Sequence, residues 1–192
     1  MLWIPPIRLV PIGLRPSAGD ISAFAVAASR EAEVCQYPGS VDDVPPLWLI
    51  NHSKRAIGRG QDAYTRASSA LEAFECLELS WLTHSLHADA LAICSRQFYF
   101  LWLMNANRII DDEQTPQQRS FTWATTRRHV LCGEERLTVS YDDASDEVHF
   151  EVLSFSRPRH LFSWAAYPYV VAQQKRFARD ATERMVTAVE RQ

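Results

Sequence analysis

The densest polar group in an otherwise apolar stretch of the chain is His129, Glu134, Glu135 and Arg136. A histidine with a carboxylate can do general acid–base work, since the imidazole titrates near neutrality and a carboxylate can orient it. The same residues suit a β-hairpin with a solvated tip and cross-strand ion pairs. In a regular strand Glu134 and Glu135 point to opposite faces. One of them therefore faces the covered side of a sheet and, once buried, needs a partner, which Arg128, Arg157 or His149 would supply. His129, Glu134 and Glu135 are thus the candidates for catalysis, and a structural ion pair is the plainer expectation.

Other motifs carry less. Gly58-Arg-Gly60 precedes a helical pattern but lacks a third glycine or a following Lys-Ser/Thr, so it reads as a turn rather than a phosphate cradle. Ser156, in Ser154-Phe-Ser-Arg-Pro158, has no glycine elbow and reads as a turn or helix-start residue. The six histidines are scattered, and His84 and His87 come without further ligands, so no metal and no cofactor is expected. None of the four cysteines, Cys35, Cys76, Cys94 and Cys132, forms a C-x-x-C pair. Prolines and Arg8 interrupt the apolar start of the chain, no secretory signal is visible, and reduced thiols in a cytoplasm are expected.

The elements that must position these residues follow from periodicity. Residues 1–46, punctuated by prolines, read as an irregular arm around one short element near Ile21–Arg30. Leu47-Trp-Leu-Ile begins a strand running toward Ile57. Residues 61–78 read as a helix, with Tyr64, Ala67, Leu71, Phe74 and Leu77 on one face and Asp62 in its first turn. Strands follow at Leu79–His84, Ala90–Ser95, Phe98–Met104 continuing to Ile110, and Arg119–Val130. Cys132-Gly-Glu reads as a turn or bulge. Leu137, Val139 and Tyr141 alternate with polar residues, as do Val148, Phe150 and Val152, with Asp142–Asp146 as the loop between the two strands. After Pro158 the period becomes helical. A short turn at His160–Ala166 leads to a helix with Pro168 in its first turn and a stripe of Val170, Phe177, Ala178, Ala181, Met185 and Val189.

The expected fold class is α+β: a curved antiparallel sheet of six to seven strands wrapped around a long C-terminal helix, with residues 47–192 as a single domain. A sheet with few helices must bury one face, and the terminal helix is the element available to cover it. By analogy with helix-grip, START-like proteins, a hollow lies between the two.

The C-terminal half resembles a known family. Thr125-Thr-Arg-Arg-His129-Val-Leu-Cys-Gly-Glu-Glu-Arg136 resembles one motif of the uncharacterised domain-of-unknown-function family 1990. Phe150-Glu-Val-Leu-Ser-Phe-Ser-Arg-Pro158 resembles the next. Tyr167-Pro-Tyr-Val and Gln174-Lys-Arg-Phe-Ala-Arg179 resemble the last. Asn107-Arg-Ile-Ile, and Gly58-Arg-Gly60 with Tyr64 and Ala67, match more loosely. The resemblance spans roughly residues 50–190 and implies relatedness rather than an activity.

The leading functional expectation is binding of a small hydrophobic or amphipathic molecule between sheet and helix. Trp123, His129, Glu135, Arg157, His160, Tyr167 and Tyr169 are the candidate ligand-binding residues. Of the abundant aromatics, Trp81, Phe98, Tyr99, Trp102, Phe155 and Trp164 among them, most are expected in the core. The alternatives are an enzyme using His129 with Glu134 or Glu135 in the same hollow, and a protein-interaction module using the arm or a basic helix face. A net charge of −3 argues against nucleic acid as a partner. Its basic clusters, Arg127–Arg128, Arg157–Arg159 and Lys175–Arg179, read as solvated faces. The longest apolar run is far short of the ~20 residues that span a bilayer as a helix.

Overall fold

The computed structural model describes residues 8–11, 15–31, 33–37, 45–97 and 101–191. These form strands β1 (Arg8–Pro11), β2 (Val34–Cys35), β3 (Leu49–Arg59), β4 (Leu82–His87), β5 (Ala90–Gln97), β6 (Leu101–Gln114), β7 (Gln118–Thr126), β8 (Leu131–Asp142) and β9 (Glu147–Pro158), with helices α1 (Ala18–Ser29), α2 (Gln61–Glu72), α3 (Leu161–Ala165) and α4 (Tyr167–Glu190). Seven strands form one antiparallel path in the order β3-β9-β8-β7-β6-β5-β4, while β1 pairs with β6 and β2 with β7. Phe98 and Tyr99, expected to begin the central strand, lie outside the described residues.

Alternation explains which way the sheet faces. Leu137 and Val139 on β8, and Val148, Phe150 and Val152 on β9, send every second side chain into one core. That core is closed by Tyr64, Ala67 and Leu71 of α2 and by Ala178, Ala181, Met185 and Val189 of α4. The chain is therefore α+β, with α4 lying in the bowl of the sheet. Small residues let α4 approach closely. A Cβ on Gly58 would stand 2.8 Å from Val189 Cγ1 and 3.0 Å from Ala63 Cβ. Gly58 lies in β3, beside an irregular register, and the turn falls at Gly60, whose φ of 85° precedes α2. Pro168 occupies the first turn of α4, where a missing amide hydrogen is tolerated.

The convex face is covered too. Ile21, Phe24, Ala25 and Ala28 of α1 pack on Ala90, Ala92 and Cys94 of β5 and on Trp102, Met104 and Ala106 of β6. Ser17 caps α1, accepting the Asp20 N–H at 3.1 Å while the Asp20 carboxylate accepts the Ser17 N–H at 3.0 Å. At its other end Arg108 donates to the Ser29 and Glu31 carbonyls, the groups a helix C-terminus leaves unsatisfied.

Three local expectations are corrected. The helix expected over 61–78 stops at Glu72; Phe74, at φ 54°, turns the chain left-handed into a 3₁₀ turn at Glu75–Leu77. Cys132-Gly-Glu is strand, and the turn lies earlier, between the ends of β7 and β8. Ser156 sits within β9, not at a turn.

Candidate binding cavity

The first half of α4 stands off the floor of the sheet, reaching it through polar contacts such as those of Tyr169 and Gln174. From Ala178 onward its inward residues are buried in the core, whereas Tyr169, Val170, Gln173, Gln174 and Phe177 roof a cavity of about 310 Å³. Its floor is the concave face of five strands, read two residues apart along each: Ser95 and Gln97 on β5, Asn105 and Asn107 on β6, Trp123 and Thr125 on β7, Glu135 on β8, and Ser154 and Ser156 on β9. Trp81, Ile93, Leu103, Val130 and Leu131 complete largely apolar walls.

The end of the β7–β8 hairpin is opened by its own side chains. Pairing of the two strands stops at Ala124 with Glu134, and beyond it Cys35 of β2 pairs with Thr125. The Thr125 hydroxyl accepts the Gly133 N–H at 3.1 Å, and Thr126 Oγ1 donates to the Ala106 carbonyl at 2.9 Å while accepting the Arg128 N–H at 3.1 Å. Arg159 donates to the Thr126 carbonyl at 2.6 Å. Gly133 is held against β9 so closely that a Cβ there would lie 2.0 Å from the Phe155 carbonyl oxygen. His129 thereby ends up lining the cavity, its Nδ1 accepting the Leu131 N–H at 2.9 Å. Burial, with Arg159 and His160 nearby, pushes its pKa down to about 3, so the ring is neutral.

Most polar groups around the cavity are satisfied. The Tyr169 hydroxyl donates to Gln97 Oε1 at 3.0 Å, Gln97 Nε2 to Ser95 Oγ at 2.7 Å, Gln174 Nε2 to Ser156 Oγ at 2.7 Å, and the Val130 N–H to Asn105 Oδ1 at 3.2 Å. Four groups differ. Ser154 Oγ, Gln173 Oε1 and Gln174 Oε1 are buried without a hydrogen-bond partner among the described residues. Glu135 keeps some accessibility only because it faces the cavity. Its pKa is pushed up to about 8, with burial as the cause and no hydrogen bond or opposite charge to offset it. At neutral pH it is a carboxylic acid rather than a carboxylate.

Of the residues singled out from sequence, Trp123, His129, Glu134, Glu135 and Tyr169 come together at this cavity, and Arg157, His160 and Tyr167 do not line it. Arg157 is exposed, its guanidinium 5.2 Å from the Trp48 ring. The His160 N–H donates to Ser163 Oγ at 3.0 Å at the start of α3, and Tyr167 sits against Trp164 with ring centres 6.1 Å apart. Glu134 has the opposite parity to Glu135, and its carboxylate accepts the Tyr37 N–H at 3.3 Å. Among the described residues the ion pair expected for the inward glutamate is absent, and each foreseen partner is engaged elsewhere. Arg128 pairs with Glu31, His149 lies 3.5 Å from Glu147, and Arg157 stacks on Trp48. Ser95, Gln97, Asn105 and Asn107 were not anticipated; their signal was polar residues at every second position of otherwise apolar strands.

Cys35 and Cys132 are joined as a disulfide with Cα atoms 5.3 Å apart, which corrects the expectation of four reduced thiols. Cys76 and Cys94 are free and buried.

Fold and cavity define a helix-grip protein. The chain belongs to the family described as Domain of unknown function (DUF1990), whose family model matches residues 30–184. It is 28% identical over 153 residues to a UPF0548 protein of Arabidopsis thaliana, covering 74% of each chain. It is 27% identical over 192 residues to a UPF0548 protein of Deinococcus radiodurans, covering 90% of this chain and 96% of that one. Among solved structures it is similar to the di-domain ARO/CYC proteins StfQ, from the steffimycin biosynthetic pathway (TM-score 0.50, 8% identity, 75% of this chain and 51% of that one), and BexL, from the BE-7585A biosynthetic pathway (0.51, 11%, 77% and 52%). It thus spans about half the length of those two proteins. It is also similar to truncated norcoclaurine synthase from Thalictrum flavum (TM-score 0.50, 10% identity, 79% of this chain and 100% of that one). At these identities the likeness shows the fold alone. Among the described residues, no helix is long and apolar enough to cross a membrane.

Proposed function

We propose that this chain binds a small, mainly apolar molecule in the cavity between the sheet and the first half of α4. The supporting observation is a space of about 310 Å³ where a solid core would otherwise continue, floored by unsatisfied oxygens. Binding pockets have this character: apolar walls with a few placed polar groups, in volumes of ~300 Å³ upward. An ordinary core would have collapsed onto such a space, since voids forfeit dispersion contacts.

The test uses N-phenyl-1-naphthylamine, an uncharged dye that fluoresces on leaving water. Saturable one-to-one binding to the wild type, weakened about tenfold or more by filling the space with Leu103→Trp, is expected. Equal binding by wild type and a Leu103→Trp variant that melts cooperatively would remove the reading. An acid–base dyad of His129 with a glutamate has less support. His129 is neutral, its Nδ1 is committed to Leu131, and no hydrogen bond joins it to Glu134 or Glu135 among the described residues.

A further inference from the structure

Resting on the cavity as a binding site, we propose that the molecule it takes carries a basic nitrogen, an apolar amine whose ammonium group is received by Glu135 and Ser154 beneath the side-chain oxygens of Gln173 and Gln174.

The cavity is selective in charge. Among the described residues its lining contains carboxyl groups but no lysine and no arginine, so an anionic ligand would meet no counter-charge there. Four groups stand without hydrogen-bond partners among the described residues: the Glu135 carboxyl, Ser154 Oγ, Gln173 Oε1 and Gln174 Oε1. Ser154 is only 2% exposed, so its orphaned hydroxyl is a deep feature rather than a surface accident. Buried oxygens left unmatched cost free energy unless something donates to them, and an ammonium offers up to three N–H donors at one point. Gln174 Nε2 donates to Ser156 Oγ at 2.7 Å, which leaves Oε1 as the unpartnered end of that amide. Trp123 is the cross-strand neighbour of Glu135 on β7 and Ser154 its neighbour on β9. The carboxyl is thus flanked by an aromatic ring and a hydroxyl, and ring faces attract cations.

The titratable groups around Glu135 leave this role open. Cys76, beneath it in the 3₁₀ turn, is a buried neutral thiol pushed up to about 12. His129, from the hairpin end, is neutral. Asp180 of α4 is occupied by Trp81 Nε1 at 2.9 Å and by Arg176 and Arg179. The empty carboxyl keeps its proton, and an arriving ammonium replaces that proton as the source of neutralising charge. Amine binding at neutral pH therefore releases a proton to solvent.

The test displaces N-phenyl-1-naphthylamine with three molecules of one shape: 1-naphthylmethylamine, 1-naphthylmethanol and 1-naphthoate. The amine is expected to bind about tenfold or more tighter than the alcohol, and the carboxylate weakest. In Glu135→Gln the preference for the amine over the alcohol should be lost. Should that variant fail to fold, wild-type calorimetry in buffers of different ionisation enthalpy replaces it, with close to one proton (about 0.9 at pH 7) released per amine bound. An alcohol or carboxylate that matches the amine, an amine preference that survives Glu135→Gln, or no proton release would overturn the inference while leaving the cavity reading in place. Failure of the dye and all three competitors to bind would remove both.

Discussion

Glu135 and Ser154 stand directly opposite each other across the β8–β9 ladder, both on the concave face, and neither side chain has a hydrogen-bond partner among the described residues. Opposed side chains on one face are the unit of sheet stabilisation. Here the pair leaves a carboxyl and a hydroxyl in apolar surroundings beneath α4, which loses stability and marks where the sheet is arranged for something other than its own packing.

The first consequence is a pH dependence. The Glu135 pKa is raised to about 8 from 4.5. Below pH 4.5 the carboxyl is protonated in both states and destabilises nothing. As pH rises from there toward 8, the unfolded chain releases a proton that the folded one keeps, and stability falls. Glu135→Gln should therefore match wild type near pH 4 and exceed it by about 2–5 kcal/mol at pH 8. Urea denaturation at both pH values measures this; a wild type that is more stable than the variant at pH 8 contradicts it.

His129 works in the opposite direction. Its pKa is depressed to about 3 from 6.5, so its neutral burial is harmless above pH 6.5 and destabilises progressively as pH falls toward 3. His129→Asn keeps an acceptor for the Leu131 N–H and removes the titration. The variant should lose less stability than wild type between pH 6.5 and 4, and parallel curves would show that the imidazole is not buried as described.

Gly133 and Gly60 should respond differently to alanine. A Cβ at Gly133 meets the Phe155 carbonyl oxygen at 2.0 Å, whereas at Gly60 nothing lies within 4 Å and only the φ of 85° resists. Gly133→Ala should cost about 3 kcal/mol or more, with β8 and β9 forced apart, and Gly60→Ala about 1 kcal/mol. Equal melting temperatures for the two variants would contradict the register around the hairpin.

The Cys35–Cys132 bridge predicts a thiol count. In denaturant, the oxidised chain should expose two thiols, those of Cys76 and Cys94, and four after reduction. Closing a loop of 97 residues should stabilise the oxidised form by about 5 kcal/mol. Four reactive thiols in an air-oxidised sample would contradict the pairing.

How much of this was legible depended on range. Alternation along Leu137–Tyr141 and Val148–Val152, and the stripe from Val170 to Val189, are local and made the sheet and terminal helix readable. The parity argument correctly put one of Glu134 and Glu135 inside. It failed on the partner, because Arg128 is drawn off by Glu31, 97 residues earlier, and no periodicity reports such a contact. The Cys35–Cys132 bridge was missed for the same reason. The polar floor from Ser95 to Asn107 was hidden because Phe98–Met104 reads as an apolar run. The motif Thr125-Thr-Arg-Arg-His129 was recognisable as a pattern, but its work, holding β7 and β8 apart, appears only once Ala106, Glu31 and Arg159 are in place.

The most direct measurement is the ¹³C titration of the Glu135 carboxyl between pH 5 and 9, assigned with Glu135→Gln, in free protein and with 1-naphthylmethylamine. The expected result is a midpoint near 8 in the free protein that falls by about two pH units or more when the amine occupies the cavity. A carboxyl that titrates in the ordinary glutamate range, or one whose midpoint the amine leaves unmoved, would contradict the account.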